Sequence, residues 1–215
     1  MSSRAFLFPG QGSQFVGMGK ELYDTNETAK KIFDLANEIM NTNLSKICFE
    51  GPEEQLKQTQ ITQPAIFVHS IAIFQLLKEK NFIPTAAAGH SLGEYSALVA
   101  SESLTFKDGL NLVKIRGELM QEAGIKNPGT MAAIIGLDSS LVEKTCNTVK
   151  DSGIVCPANF NSPEQVVISG DVNAVRACMN VAKEQGAKRA IELVVSGAFH
   201  SPLMEHAQQG LAEAL

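Results

Sequence analysis

Gly89-His90-Ser91-Leu92-Gly93 runs on into Glu94-Tyr95-Ser96-Ala97-Leu98-Val99-Ala100. It has the form Gly-x-Ser-x-Gly, the pattern of a nucleophile elbow. A serine carried on a sharp strand-to-helix turn needs small residues on both sides, because a Cβ there would collide with the reversing backbone. Gly89 and Gly93 supply that room. The turn would lift the Ser91 hydroxyl clear of a sheet, and the helix starting beside it would aim unpaired N–H groups at developing negative charge. The small residues 85–88 after Pro84 suit a short buried strand, and 97–100 continue as a close-packed helix. From these residues alone, Ser91 is either an acyl-transfer nucleophile or a serine that caps its helix.

Outward from the elbow, composition narrows the classes. A chain of 215 residues, 44% hydrophobic, can bury one large core and carry a smaller one. The net charge of −5, without a run of Lys or Arg, argues against nucleic acid or an anionic membrane as partner. The longest apolar run, within 65–77, is interrupted by His69, Ser70 and Gln75 and reads as a buried helix, short of the roughly 20 residues of a membrane span. Residues 1–4 lead straight into a strand-like 5–8 without a signal-peptide core, which makes the cytoplasm the expected compartment. Cys48, Cys146, Cys156 and Cys178 form no Cys-x-x-Cys pair and His-Glu-x-x-His is absent, so reduced, mostly buried thiols are expected and no metal site.

Upstream of the elbow, Phe8-Pro9-Gly10-Gln11-Gly12-Ser13-Gln14 is a glycine-rich loop entered from an apolar strand. Its third glycine arrives at Gly17 and no acidic strand end follows at the expected offset, which disfavours a dinucleotide fingerprint. It is either a plain turn or the donor of a second N–H to an oxyanion hole. Periodicity predicts an amphipathic helix over 26–40, capped by Thr25 or Asn26, and a core helix opening at Thr62-Gln63-Pro64 with the proline in its first turn. Downstream, a helix over 107–123 sets Arg116 among Leu112, Val113, Leu119 and Met120. Such an arginine either snorkels to the surface or holds a buried anion with its two-pronged fork.

From Gly129 the pattern becomes βαββαβ: strands at 131–137, 154–159, 165–169 and 190–195, helices at 141–149 and 172–185. That order predicts a ferredoxin-like subdomain, 127–198, inserted into a larger α/β domain formed by 1–126 and 199–215, itself a hydrolase-like parallel-sheet core. The chain re-enters the larger domain through Ser196-Gly197-Ala198-Phe199-His200-Ser201-Pro202. Among four histidines, His90 points away from its neighbour Ser91 on an extended strand, His69 lies on a core helix and His206 lacks a Gly or Pro setting. His200, on a loop at a domain junction, is the preferred base for Ser91.

Taken in order, residues 8–14, Thr62-Gln63-Pro64-Ala65, the elbow, Arg116, Asn159-Phe160-Asn161-Ser162-Pro163-Glu164-Gln165 and Gly197-Ala198-Phe199-His200-Ser201-Pro202 resemble the malonyl-CoA:acyl-carrier-protein transacylase family over 4–215. The resemblance implies that Ser91 takes malonyl from coenzyme A as an ester with His200 as base, and that the thiol of acyl carrier protein receives it. It implies that the backbone N–H groups of Gln11 and Leu92 form the oxyanion hole and that Arg116 holds the malonate carboxylate. No cofactor is implied beyond the coenzyme A thioester as substrate. Family members continue beyond the equivalent of Leu215, so the chain is expected to be C-terminally truncated.

Overall fold

Strand β1, Ala5–Phe8, lies parallel to β2, Ala86–Gly89, with Ala5 opposite Ala86 and Phe8 opposite Gly89, in a computed structural model that describes residues 3–215. Between them run α1 (Lys20–Thr25), α2 (Glu27–Met40), α3 (Leu44–Glu50), α4 (Glu53–Leu56) and α5 (Thr59–Glu79). Then come α6 (Gly93–Ala100) and α7 (Phe106–Lys126). Side chains alternate across a strand, so Phe6, Phe8 and Ala87 turn toward Phe74 of α5 and Ala97 of α6, while Leu7 is 80% exposed on the other face. The buried strand expected at 85–88 is therefore corrected. With a single covered face, β2 alternates between exposed and half-buried positions.

The helix over 26–40 forms as its periodicity predicts. Asn26 Oδ1 accepts from the N–H groups of Thr28 (2.9 Å) and Ala29 (3.1 Å), a cap worth about 1 kcal/mol. Ala29, Phe33, Ala36 and Met40 make its buried stripe. Helix α5 starts three residues before the predicted Thr62, which leaves Pro64 inside the helix rather than in its first turn. Proline has no N–H to give Gln60 O, but the packing decides the start: Thr59 and Thr62 are fully buried, and Thr62 Oγ1 donates to Leu56 O at 2.5 Å. By length and composition alone this 21-residue helix could cross a membrane, contrary to the shorter run read from sequence. More than half of its apolar window is buried in the protein, as for a core helix.

Two compact units divide the chain, one running to Glu118 with Ala214–Leu215, the other Leu119–Glu213. The sequence boundaries at 126/127 and 198/199 follow a change of element pattern, whereas compactness assigns the end of α7 and residues 199–213 to the second unit. That unit holds β3 (Thr130–Ile135), α8 (Ser139–Thr148), β4 (Val155–Ser162), β5 (Gln165–Gly170), α9 (Val172–Glu184), β6 (Arg189–Glu192) and all but the last residue of α10 (Glu205–Ala214). Its antiparallel sheet has the order β4-β5-β3-β6. Period-two alternation gives the sheet two apolar faces. Ala132, Ile134, Val166 and Ile168 pack on Val142 and Cys146 of α8 and Val175 and Cys178 of α9. Met131, Ala133 and Val167 pack on Phe199, Met204 and Ala207. All four thiols are free. Cys48, Cys146 and Cys178 are buried, and burial pushes the Cys48 thiol up to about 12.

Candidate active site

The elbow is built by main-chain proximity. A Cβ on Gly89 would sit 1.9 Å from the carbonyl carbon of Gly93 and 2.1 Å from Glu94 N. One on Gly93 would sit 2.2 Å from Phe8 O. No backbone yields by that much, so neither position admits a side chain. The turn is closed by Gly93 N–H to His90 O (2.9 Å) and Glu94 N–H to Ser91 O (3.1 Å), and His90 N–H reaches across to Phe8 O (3.0 Å). Ser91 itself is held at φ 51, in the left-handed region. For a residue other than glycine that costs about 1–3 kcal/mol and is tolerated only where the surroundings over-determine it. The same sign at Glu102 (φ 61) marks an ordinary turn, so the strain acquires meaning only from what the serine touches.

What it touches is Arg116, whose Nη2 donates to Ser91 Oγ at 2.9 Å, while Nη1 donates to Gln63 Oε1 at 2.6 Å. Arg116 is only 8% exposed, which excludes snorkelling. Burial pulls its pKa down, yet a guanidinium in a protein stays charged. Its Cζ stands 5.9 Å from the ring centroid of Tyr95, within cation–π range. No carboxylate among the described residues lies within ion-pair distance of it. A buried guanidinium held by neutral acceptors retains the capacity to pair with an anion.

The loop after β1 meets the elbow at Gly10, where a Cβ would come 2.6 Å from His90 O. Its shape is fixed by Ser13 Oγ donating to Gly10 O (2.8 Å), Gly12 N–H to Gln14 Oε1 (2.8 Å) and Gln11 Nε2 to Thr59 Oγ1 (3.3 Å). Leu92 is buried at the N-terminal end of α6. The main-chain N–H groups of Gln11 and Leu92 donate to no carbonyl among the described turn and loop bonds, whereas those of Gly93, Glu94 and Tyr95 do.

His200 belongs to the second unit and is exposed at φ 59 between buried Phe199 and Ser201. Ser201 Oγ donates to Ala198 O (2.7 Å) and accepts from Leu203 N–H (3.3 Å), which ties the loop into the short 3-10 turn Pro202–Met204. The His200 carbonyl also faces Cys156 Sγ at 3.9 Å. Ser91, Leu92, Gln11 and Arg116 thus lie in the first unit, where Arg116 contacts Ser91. Sequence reading missed Gln63 and Tyr95 as neighbours of that arginine. The available signals were an amide beside Pro64 in a largely apolar helix and an aromatic four residues after the serine. Among the described residues no three His, Cys, Asp or Glu side chains gather as a metal site requires.

A family model described as the acyl transferase domain matches residues 5–215. The malonyl CoA-acyl carrier protein transacylase of Bacillus subtilis (strain 168) is 51% identical over 216 residues, covering 100% of this chain and 68% of its own length. The crystal structure of MCAT from Streptococcus pneumoniae superposes with a TM-score of 0.93 at 45% identity, over 98% of this chain and 69% of that one. A type II PKS acyl-carrier protein in complex with its malonyl-transacylase gives a TM-score of 0.94 at 44% identity, over 99% and 69%. The chain spans about two thirds of the length of these relatives. With the α/β architecture, the elbow and the buried arginine all in place, the chain belongs to the acyl transferase family and, within it, to the malonyl CoA-acyl carrier protein transacylases.

Proposed function

We propose that this chain takes a malonyl group from coenzyme A as an ester of Ser91 and passes it to the phosphopantetheine thiol of an acyl carrier protein, in the cytoplasm, as a step of fatty acid synthesis. Ser91 Oγ attacks the thioester carbonyl, and His200 takes its proton. The tetrahedral oxyanion is held by the N–H groups of Gln11 and Leu92. The C–S bond then breaks and coenzyme A leaves as a thiol carrying the proton from His200. The carrier thiol repeats the sequence in reverse and frees Ser91. The chemistry is carried by the substrate's own thioester and calls for no resident cofactor or metal.

The observation that carries this reading is the Arg116 guanidinium, buried without a carboxylate partner among the described residues and donating to the nucleophile itself. A hydrolase working on neutral esters would have no use for it. The parallel pair β1–β2 followed by the elbow and α6 supports a hydrolase-like core. The βαββαβ order and the strand order β4-β5-β3-β6 support a ferredoxin-like insert, 127–198, between 1–126 and 199–215.

Intact mass after incubation with malonyl-CoA tests the reading. A malonyl adduct on the native chain and none on Ser91→Ala is the expected result. An adduct that persists on Ser91→Ala removes the serine from the mechanism.

A further inference from the structure

A carboxylate clamp must be fixed in plane and direction, and arginine is a poor clamp if left to itself, because its long side chain has several rotatable bonds. The neighbours of Arg116 supply that fixation from two other helices. Gln63, 1% exposed on α5, accepts from Nη1 at 2.6 Å, and the half-buried Tyr95 of α6 lies 5.9 Å from Cζ. Ser91 Oγ completes the set through Nη2 at 2.9 Å. Ser91 cannot remain the partner of Nη2 once it carries the acyl group, because the ester oxygen is a poorer acceptor and the malonyl carboxylate, three bonds beyond Oγ, competes for the same fork. Gln63 and Tyr95 are unaltered by acylation. We infer that Gln63 and Tyr95 are positioning residues that set the choice between carboxylated and plain acyl groups by holding the Arg116 guanidinium in place while its third partner changes. The inference rests on the transacylase reading above.

The test is steady-state acylation of the full chain by malonyl-CoA and by acetyl-CoA, which has no carboxylate to clamp. Gln63→Leu is expected to raise the KM for malonyl-CoA by about ten- to a hundredfold with a smaller change in kcat, and to lower the malonyl-to-acetyl ratio by a similar factor. Tyr95→Leu is expected to lower the ratio by about three- to tenfold, and Tyr95→Phe, which keeps the ring face, to restore it. In an Arg116→Ala background, adding Gln63→Leu is expected to change the ratio by less than about twofold, since its effect runs through the arginine. Equal losses with both donors, or full additivity on Arg116→Ala, would overturn the inference. Should Gln63→Leu not fold, the pair at Tyr95 decides, and Tyr95→Phe behaving like Tyr95→Leu counts against it. A native chain that acquires no malonyl mass overturns the transacylase reading itself, whereas a chain that is acylated but indifferent to these variants overturns the positioning role alone.

Discussion

The elbow at Ser91 and the loop at His200 solve one problem by different means. Each holds a residue other than glycine at positive φ, 51 and 59 respectively. At the elbow the restraint is main chain against main chain. Gly89 and Gly93 have no space for even one carbon, and three backbone hydrogen bonds close the turn. At the His200 loop the restraint comes chiefly from side chains. Phe199 and Met204 anchor it in the apolar face of the four-stranded sheet, and the buried Ser201 hydroxyl bridges Ala198 and Leu203. Backbone restraint gives Ser91, the proposed nucleophile, a position that no rotamer change can loosen. Side-chain restraint leaves His200, the proposed base, on a scaffold in which one hydroxyl and two apolar anchors take part.

Three substitutions test this contrast. His200→Ala is expected to have the largest effect, slowing acylation by malonyl-CoA by about 10²–10⁴-fold with a residue of activity from the oxyanion donors. A single-turnover rate within about threefold of the native chain would take His200 out of the mechanism. Gly93→Ala comes next. Its Cβ would lie 2.2 Å from Phe8 O, and the shift needed to relieve that contact moves Ser91. A displacement of about 1 Å costs on the order of a hundredfold in rate, so acylation should fall by at least that much, with a lowered melting temperature. Wild-type behaviour in both readouts would show that the elbow has slack its geometry denies.

Ser201→Ala should do least. It leaves the Ala198 carbonyl without its donor in a buried setting, for a loss of about 1–3 kcal/mol in stability and a few-fold in acylation rate. A loss as large as that of Gly93→Ala would mean that the His200 loop is as tightly determined as the elbow, and the comparison would fail. Thermal melts and single-turnover acylation of the three variants, run side by side, rank them directly.

Much of the site was legible in the sequence because it is governed by short-range sterics. Glycines two residues either side of Ser91 encode a turn that no other residue permits, and an apolar stripe led by Asn26 encodes α2 and its cap. The βαββαβ order of the second unit was readable for the same reason. Period-two strands and 3.6-period helices announce themselves within a window of about ten residues. Ser91 Oγ accepts from Arg116, a contact that neither sequence reading of that serine, nucleophile or cap, names.

Tertiary structure alone decided the rest. Whether Arg116 snorkels or turns inward depends on Ser91 and Gln63, which lie 25 and 53 residues away in the chain. No local pattern carries that information. The start of α5 at Thr59 was settled by the burial of Thr59 and Thr62 against the chain before them, which overrode the proline that periodicity took as the opening signal. The exposure of Leu7 and of β2 follows from which faces of the strand pair other elements cover, and a strand's own residues do not specify that. Sequence determined the local conformations because φ/ψ sterics and side-chain periodicity act over a few residues. Structure determined the partners because burial and hydrogen bonding are settled only when distant segments meet.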